Sequence, residues 1–144
     1  MTVTIERTVV VDRPLSQVFD YLSDFTTTNE WDPGTVKTVR VSGDGGVGTA
    51  YRNTSKFAGR ETELTYVVEK IEPHALFALR GENKTVVARD TMTFRETPSG
   101  TSVTYRGDFD FKGLARFSEP LVKPFLTKLF DEGAQGIREA LERL

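Results

Sequence analysis

Between residues 35 and 111 the chain repeats one pattern: a run rich in Val, Thr, Tyr and Phe, then a brief polar or glycine-containing break. The runs are TVKTVRVS, TAYRNTSKF, RETELTYVVEKI, LFALRGE, TVVARDTMTFRE and TSVTYRGDFDF; the breaks are GDGGVG, AG, EPHA, NK and TPSG. Such β-branched and aromatic runs, bounded by turn residues, read as strands. Links this short join antiparallel neighbours, because a parallel crossover needs about a dozen residues or more. Six such strands in succession constrain the chain to an antiparallel meander.

The flanks add one strand and the helices. Residues 2–12, TVTIERTVVVD, read as a further strand. Pro14 suits a first helical turn, and Leu15, Val18, Phe19 and Leu22 follow at helical spacing. A second short helix is expected over about residues 24–29. It ends before Trp31, which Asp32-Pro33-Gly34 would hold in a bend, outside helix and strand. From Phe117 to Leu144 the pattern is helical again. Phe117, Leu121, Phe125 and Leu129 recur every four residues, and Val122, Leu126, Ile137, Leu141 and Leu144 widen the stripe. Pro120 and Pro124 start or kink this helix, which would reach about 40 Å. The expected class is α+β. A seven-stranded curved antiparallel sheet, with two short helices after its first strand, wraps a long C-terminal helix with one dry face.

Composition narrows the function. Residues 1–144 fit one domain, long enough to bury about 70% of the unfolded surface. The absence of cysteine excludes disulfides, thiolate nucleophiles and zinc-thiolate centres, and suits a reducing cytoplasm. Nineteen basic against twenty-one acidic residues argue against a nucleic-acid partner. No run approaches the ~20 apolar residues of a membrane span, and the first residues lack a signal-peptide pattern. A cytoplasmic protein is expected. His74 is the one histidine and sits in a turn; alone it makes no metal site, and no cofactor is implied. GDGGVG lacks the Lys-Ser/Thr of a phosphate loop and precedes a strand, so it reads as a flexible connection at a cavity rim.

Turn lengths set the registers and so decide which side chains share a face. Across TPSG, Glu96 pairs with Thr101, which places Phe94 opposite Val103, Met92 opposite Tyr105, Asp90 opposite Gly107 and Ala88 opposite Phe109. A two-residue NK turn pairs Gly81 with Val86 and Phe77 with Asp90. A two-residue AG turn pairs Lys56 with Glu61 as an outer ion pair, and Tyr51 with Tyr66, Asn53 with Leu64 and Ser55 with Thr62 on the inner face. Arg52, Arg80 and Arg89 fall outside. The inner face thus mixes apolar residues with Tyr51, Asn53, Tyr66, Asp90 and Tyr105, and carries glycines at 81 and 107. A buried unpaired carboxyl is costly in a dry core. Such a face suits the wall of a cavity for a mostly apolar ligand.

The stretches TVVVDRPLSQVFDYLSDF, WDPG, VGTAYRNTSKFAGRETELTYVVEKIEP, DTMTFRETPSGTSVTYRGDFDFKG and EPLVKPF resemble, in that order, the polyketide cyclase/dehydrase-like proteins. These belong to the superfamily of START-type lipid-transfer and pollen-allergen-like (SRPBCC) proteins. The resemblance implies a helix-grip fold with a cavity between sheet and terminal helix. Members bind sterols, lipids, polyketides, plant hormones or isoprenoid quinones; some are aromatase/cyclases, others carry or sense ligand. It also places Trp31 at one end of the cavity, against ligand or against the terminal helix.

The candidate ligand-binding residues are Trp31, Tyr51, Asn53, Tyr66, Asp90, Met92, Tyr105, Phe109 and Phe125. Asp90 is either a general acid/base or ligand anchor, or a carboxylate satisfied by a neighbouring side chain or water. Three functions remain open: a carrier of a small hydrophobic or aromatic molecule; a polyketide cyclase or dehydratase using Asp90 with Tyr105 or Tyr66; and a protein that presents lipid to a partner. Asn53 either orients a ligand or bonds to its neighbours. Gly133 and Gly136 admit close approach to the sheet or leave room for a ligand.

Overall fold

The computed structural model describes residues 2–144. The strands are β1 (Thr2–Val11), β2 (Thr35–Ser42), β3 (Ala50–Phe57), β4 (Arg60–Glu72), β5 (Leu76–Glu82), β6 (Val86–Thr97) and β7 (Gly100–Phe111). The α-helices are α1 (Leu15–Leu22), α2 (Thr28–Trp31) and α3 (Glu119–Glu142), with 3₁₀ turns at Phe25–Thr27 and Gly113–Ser118. The sheet order is β1-β7-β6-β5-β4-β3-β2, antiparallel throughout. The curved sheet, the long C-terminal helix and the two short helices after β1 are as the meander and terminal pattern predict. Local sequence does not specify that β1 returns to pair with β7, because that contact joins the two ends of the chain.

The registers explain which residues face inward. β6 and β7 pair as expected, with Asp90 opposite Gly107 and Met92 opposite Tyr105. So do β3 and β4, with Tyr51 opposite Tyr66. Lys56 lies opposite Glu61, but the ion pair across these strands is Arg52–Glu63 at 3.3 Å. The β5–β6 register differs by two residues from the expectation: Gly81 pairs with Ala88, and Leu79 with Asp90. Asn83 is the reason. Its side-chain oxygen accepts from the Thr85 and Val86 amides at 2.8 and 3.0 Å, making a longer loop than a two-residue turn. A shift of two preserves parity, so the inner face is unchanged.

Trp31 is the last residue of α2, not part of a bend. Asp24 accepts from the Thr26 amide at 3.0 Å and starts the 3₁₀ turn, which runs directly into α2. Trp31 is 2% exposed, donates from Nε1 to Thr27 Oγ1 at 3.2 Å and meets Tyr105 edge-on at 5.5 Å between centroids. A Cβ added to Gly136 would collide with the Trp31 carbonyl, whereas one added to Gly133 would lie 3.6–3.7 Å from Tyr105 and Trp31. Gly136 therefore admits α2 against α3, whereas Gly133 faces both Tyr105 of the sheet and Trp31 at ordinary contact distance.

The stripe expected from Phe117 does not enter the core. Phe117, Leu121 and Phe125 are 68%, 76% and 49% exposed, while Leu126, Phe130, Ile137 and Leu141 are buried. Steps of four advance about 40° around a helix of 3.6 residues per turn, so the repeat spirals from the outer to the inner side. Phe117 precedes the helix, in the 3₁₀ turn. α3 is held to β1 by Arg7–Asp131 at 2.6 Å and by Arg138 donating to the Val10 carbonyl at 3.1 Å.

Candidate functional site

The inner face of the sheet and the inner side of α3 do not close on each other everywhere. A cavity of about 150 Å³ remains between them. Its mouth is bounded by Phe57 on the β3–β4 hairpin, Asn83, Thr85 and Val86 around the β5–β6 loop, Phe111 at the end of β7, and Leu129 on α3. Deeper in, Trp31, Tyr66, Tyr105, Phe109 and Phe130 form an aromatic wall.

Two mid-strand glycines seat that wall. A Cβ at Gly81 would come within 2.6 Å of the Tyr66 ring, and one at Gly107 would strike Phe130. Their missing side chains make room for the Tyr66 ring over β5 and for the tip of the Phe130 ring at β7. Phe130 in turn stacks on Tyr105 at 4.5 Å and 15°.

Asp90 lies within this wall. It is 6% exposed and has no hydrogen-bond partner among the described residues. Burial raises its pKa from the ordinary aspartate value to about 7, and the nearby Asp32 and Asp108 carboxyls raise it further within that figure. The Tyr66 and Tyr105 hydroxyls also lack partners among the described residues. Burial, then the Asp90 carboxylate, holds both phenols well above their usual pKa, so they stay protonated as donors. One potential acid/base and two potential donors therefore face one small space.

Asp32 is a second carboxyl at the cavity, and sequence reasoning missed it because Asp-Pro-Gly signals a turn. It does make that turn: Oδ1 accepts from the Gly34 amide and Oδ2 from Thr35 Oγ1, each at 3.0 Å. Burial raises its pKa, and these two bonds oppose the shift. Asn53 buttresses the arrangement, donating to Thr38 Oγ1 at 2.8 Å and Thr35 Oγ1 at 3.2 Å and accepting from Ser55 at 2.6 Å. Its polar atoms serve this network, so of the two roles open to it, bonding to neighbours is the one observed.

Of the residues singled out from sequence, Trp31, Asn53, Tyr66, Asp90, Tyr105 and Phe109 line the cavity together. Tyr51, Met92 and Phe125 do not. Tyr51 is buried against Phe25 at 5.6 Å, and Met92 fills the core two residues along β6 from Asp90. Phe125 lies outside, edge-on to Phe57 at 6.0 Å. Phe130, also missed, follows Leu126 by four residues on the inner side of α3. The GDGGVG connection lines no part of the cavity, correcting its expected place at the rim. Arg52, Arg80 and Arg89 pair with acids on the outer face, as expected. His74 abuts Phe19 edge-on at 5.6 Å, away from the cavity. No group of three or more potential metal-ligating side chains occurs among the described residues.

A family model described as polyketide cyclase / dehydrase and lipid transport matches residues 2–142. Among solved structures, the Zhui aromatase/cyclase from Streptomyces sp. R1128 is similar at TM-score 0.86 and 16% identity, covering 99% of this chain and 95% of that one. A START superfamily protein from Mycobacterium smegmatis is similar at TM-score 0.81 and 14% identity, with 97% of each chain covered. The di-domain ARO/CYC BexL from the BE-7585A biosynthetic pathway matches at TM-score 0.75 and 14% identity, over 96% of this chain and 49% of that one. No curated protein matches the chain in sequence. At these identities the structural likenesses establish the fold and leave the chemistry to the site.

Proposed function

The chain belongs to the polyketide cyclase / dehydrase and lipid transport family, and from that premise we propose that it binds one small, largely apolar molecule in the cavity between sheet and α3, with Asp90 meeting the polar end. The supporting observation is a 6%-exposed carboxyl with no hydrogen-bond partner among the described residues, set in an aromatic wall. A cavity of about 150 Å³ is the size that takes benzene when purely apolar. The ligand is therefore a single ring or a short chain, unless the rim opens. Native mass spectrometry of the purified protein, followed by solvent extraction, tests this. A stoichiometric aromatic or short lipidic compound supports it; an empty protein that also fails to bind single-ring compounds overturns it.

A second reading is a cyclase or dehydratase, and it is favoured by the Asp90 pKa of about 7, close to the value that suits a general base at neutral pH. Ionised Asp90 would take a proton from a carbon next to a carbonyl, while the Tyr105 hydroxyl would donate to the carbonyl oxygen as it gains charge. Turnover of short β-keto substrates that Asp90→Asn abolishes, with binding retained, would support it. Retained turnover would rule Asp90 out as the base.

A further inference from the structure

The cavity holds two acids and no base. Twenty residues line it; Asp32 and Asp90 are the carboxyls, and none of the twenty is Lys, Arg or His. Eight of them are aromatic. Buried carboxylates ordinarily have a cationic or hydrogen-bonding partner. Asp32 has two donors of its own, Gly34 and Thr35. Asp90 has none, and the charges that reach it are those of Asp32 and Asp108, also acidic. The arginine next to it in sequence, Arg89, is turned outward to Asp110 at 3.4 Å. When Asp90 ionises, its charge is therefore one that no lining side chain neutralises.

From this we propose that the ligand is an organic cation: a protonated amine or quaternary ammonium on a body of about one ring, its charge set against Asp90 within the aromatic wall. The proposal rests on the binding function above and specifies the class of ligand. An amine salt bridge to Asp90 would supply the missing partner, and the aromatic wall would contact the body. A fatty acid or other carboxylate would bring a third negative charge into the same space and is disfavoured. A bare metal ion is a poor fit, since two carboxyls fall well short of the six to eight oxygens that hard cations take.

Three probes of one shape separate the possibilities: benzylamine, benzyl alcohol and benzoate, titrated by NMR and calorimetry at about pH 8, where the carboxyl is ionised and the amine protonated. Benzylamine is expected to bind about tenfold or more tightly than benzyl alcohol, with benzoate weakest. Asp90→Asn is expected to bring benzylamine down to the level of benzyl alcohol. Equal or tighter binding of benzyl alcohol by the wild-type protein would overturn the cation proposal and leave the binding function standing. So would a benzylamine preference that survives Asp90→Asn. If none of the probes binds, the cation proposal falls, and the binding function falls with it when the purified protein is also empty of extractable ligand. The wild-type comparison needs no variant, so it does not depend on how the substitution folds.

Discussion

An aspartate without a donor in an aromatic wall destabilises the fold whenever it ionises. The sign follows from linkage. Asp90 titrates at about 7 in the folded chain and near 4 when unfolded, so between those values the folded state holds a proton that the unfolded state has released. Stability is therefore fully present below about pH 4, falls as pH rises, and levels off above about pH 7. The loss is at most about 4 kcal/mol. Asp90→Asn removes this slope: denaturant unfolding should give near-equal stabilities at about pH 4 and a variant several kcal/mol more stable at about pH 8. Parallel stability–pH curves for the two proteins would show that Asp90 is solvated or paired in solution. This residue was legible in the sequence because strand parity is robust: the β5–β6 register moved by two and Asp90 stayed inward. Asp32 was not legible. The Asx turn accounts for this aspartate by itself, and only the position of α2 against β2 and α3 shows that it also lines the cavity.

α3 shows why periodicity finds an element before it finds the element's faces. A helix was evident from the apolar spacing. The four-residue repeat took in the outer Leu121 and passed over the inner Phe130, because only the neighbouring elements decide which one is covered. Leu121→Ala should change unfolding free energy by no more than about 0.5 kcal/mol, whereas Phe130→Ala should cost about 3–5 kcal/mol in the same denaturant titration. A matching loss at Leu121 would mean that the outer face is covered in solution. The glycines of this helix give a sharper contrast. Alanine at 133 makes ordinary contacts and replaces a poor helix former, so Gly133→Ala should be neutral or stabilising by up to about 1 kcal/mol. Alanine at 136 drives its methyl into the Trp31 carbonyl, so Gly136→Ala should destabilise by about 1–3 kcal/mol and change the Trp31 fluorescence. Spacing alone treats these two positions alike. The difference comes from α2, a short helix that the sequence leads us to expect but whose seat against α3 it does not fix.

At the scale of the whole molecule, the cavity is a product of assembly. β1 closes onto β7, α3 is tied to β1 over its C-terminal half, and α2 fits against Gly136. Those contacts fix the C-terminal half of the helix, and the cavity lies against Leu126, Leu129 and Phe130 ahead of them. The composition of the wall could be read from strand parity, but the position of the mouth could not, because it is bounded by pieces far apart in sequence. The glycine-rich connection, the most flexible-looking stretch in the chain, lies elsewhere. The structure therefore separates two sources of motion. Residues 43–49 carry positive φ at Gly43, Gly45 and Gly48 and line no part of the cavity. The rim consists of the hairpin at Phe57–Arg60, the loop around Asn83–Val86 and the approach to α3 from Phe111. Amide hydrogen exchange with and without a saturating single-ring ligand distinguishes them, since binding raises the free energy of openings that expose the site. Protection should rise at all three rim segments and stay unchanged over residues 43–49. A rise confined to the glycine connection would place the ligand's entrance at the β2–β3 end of the sheet and not between the hairpin tips and α3.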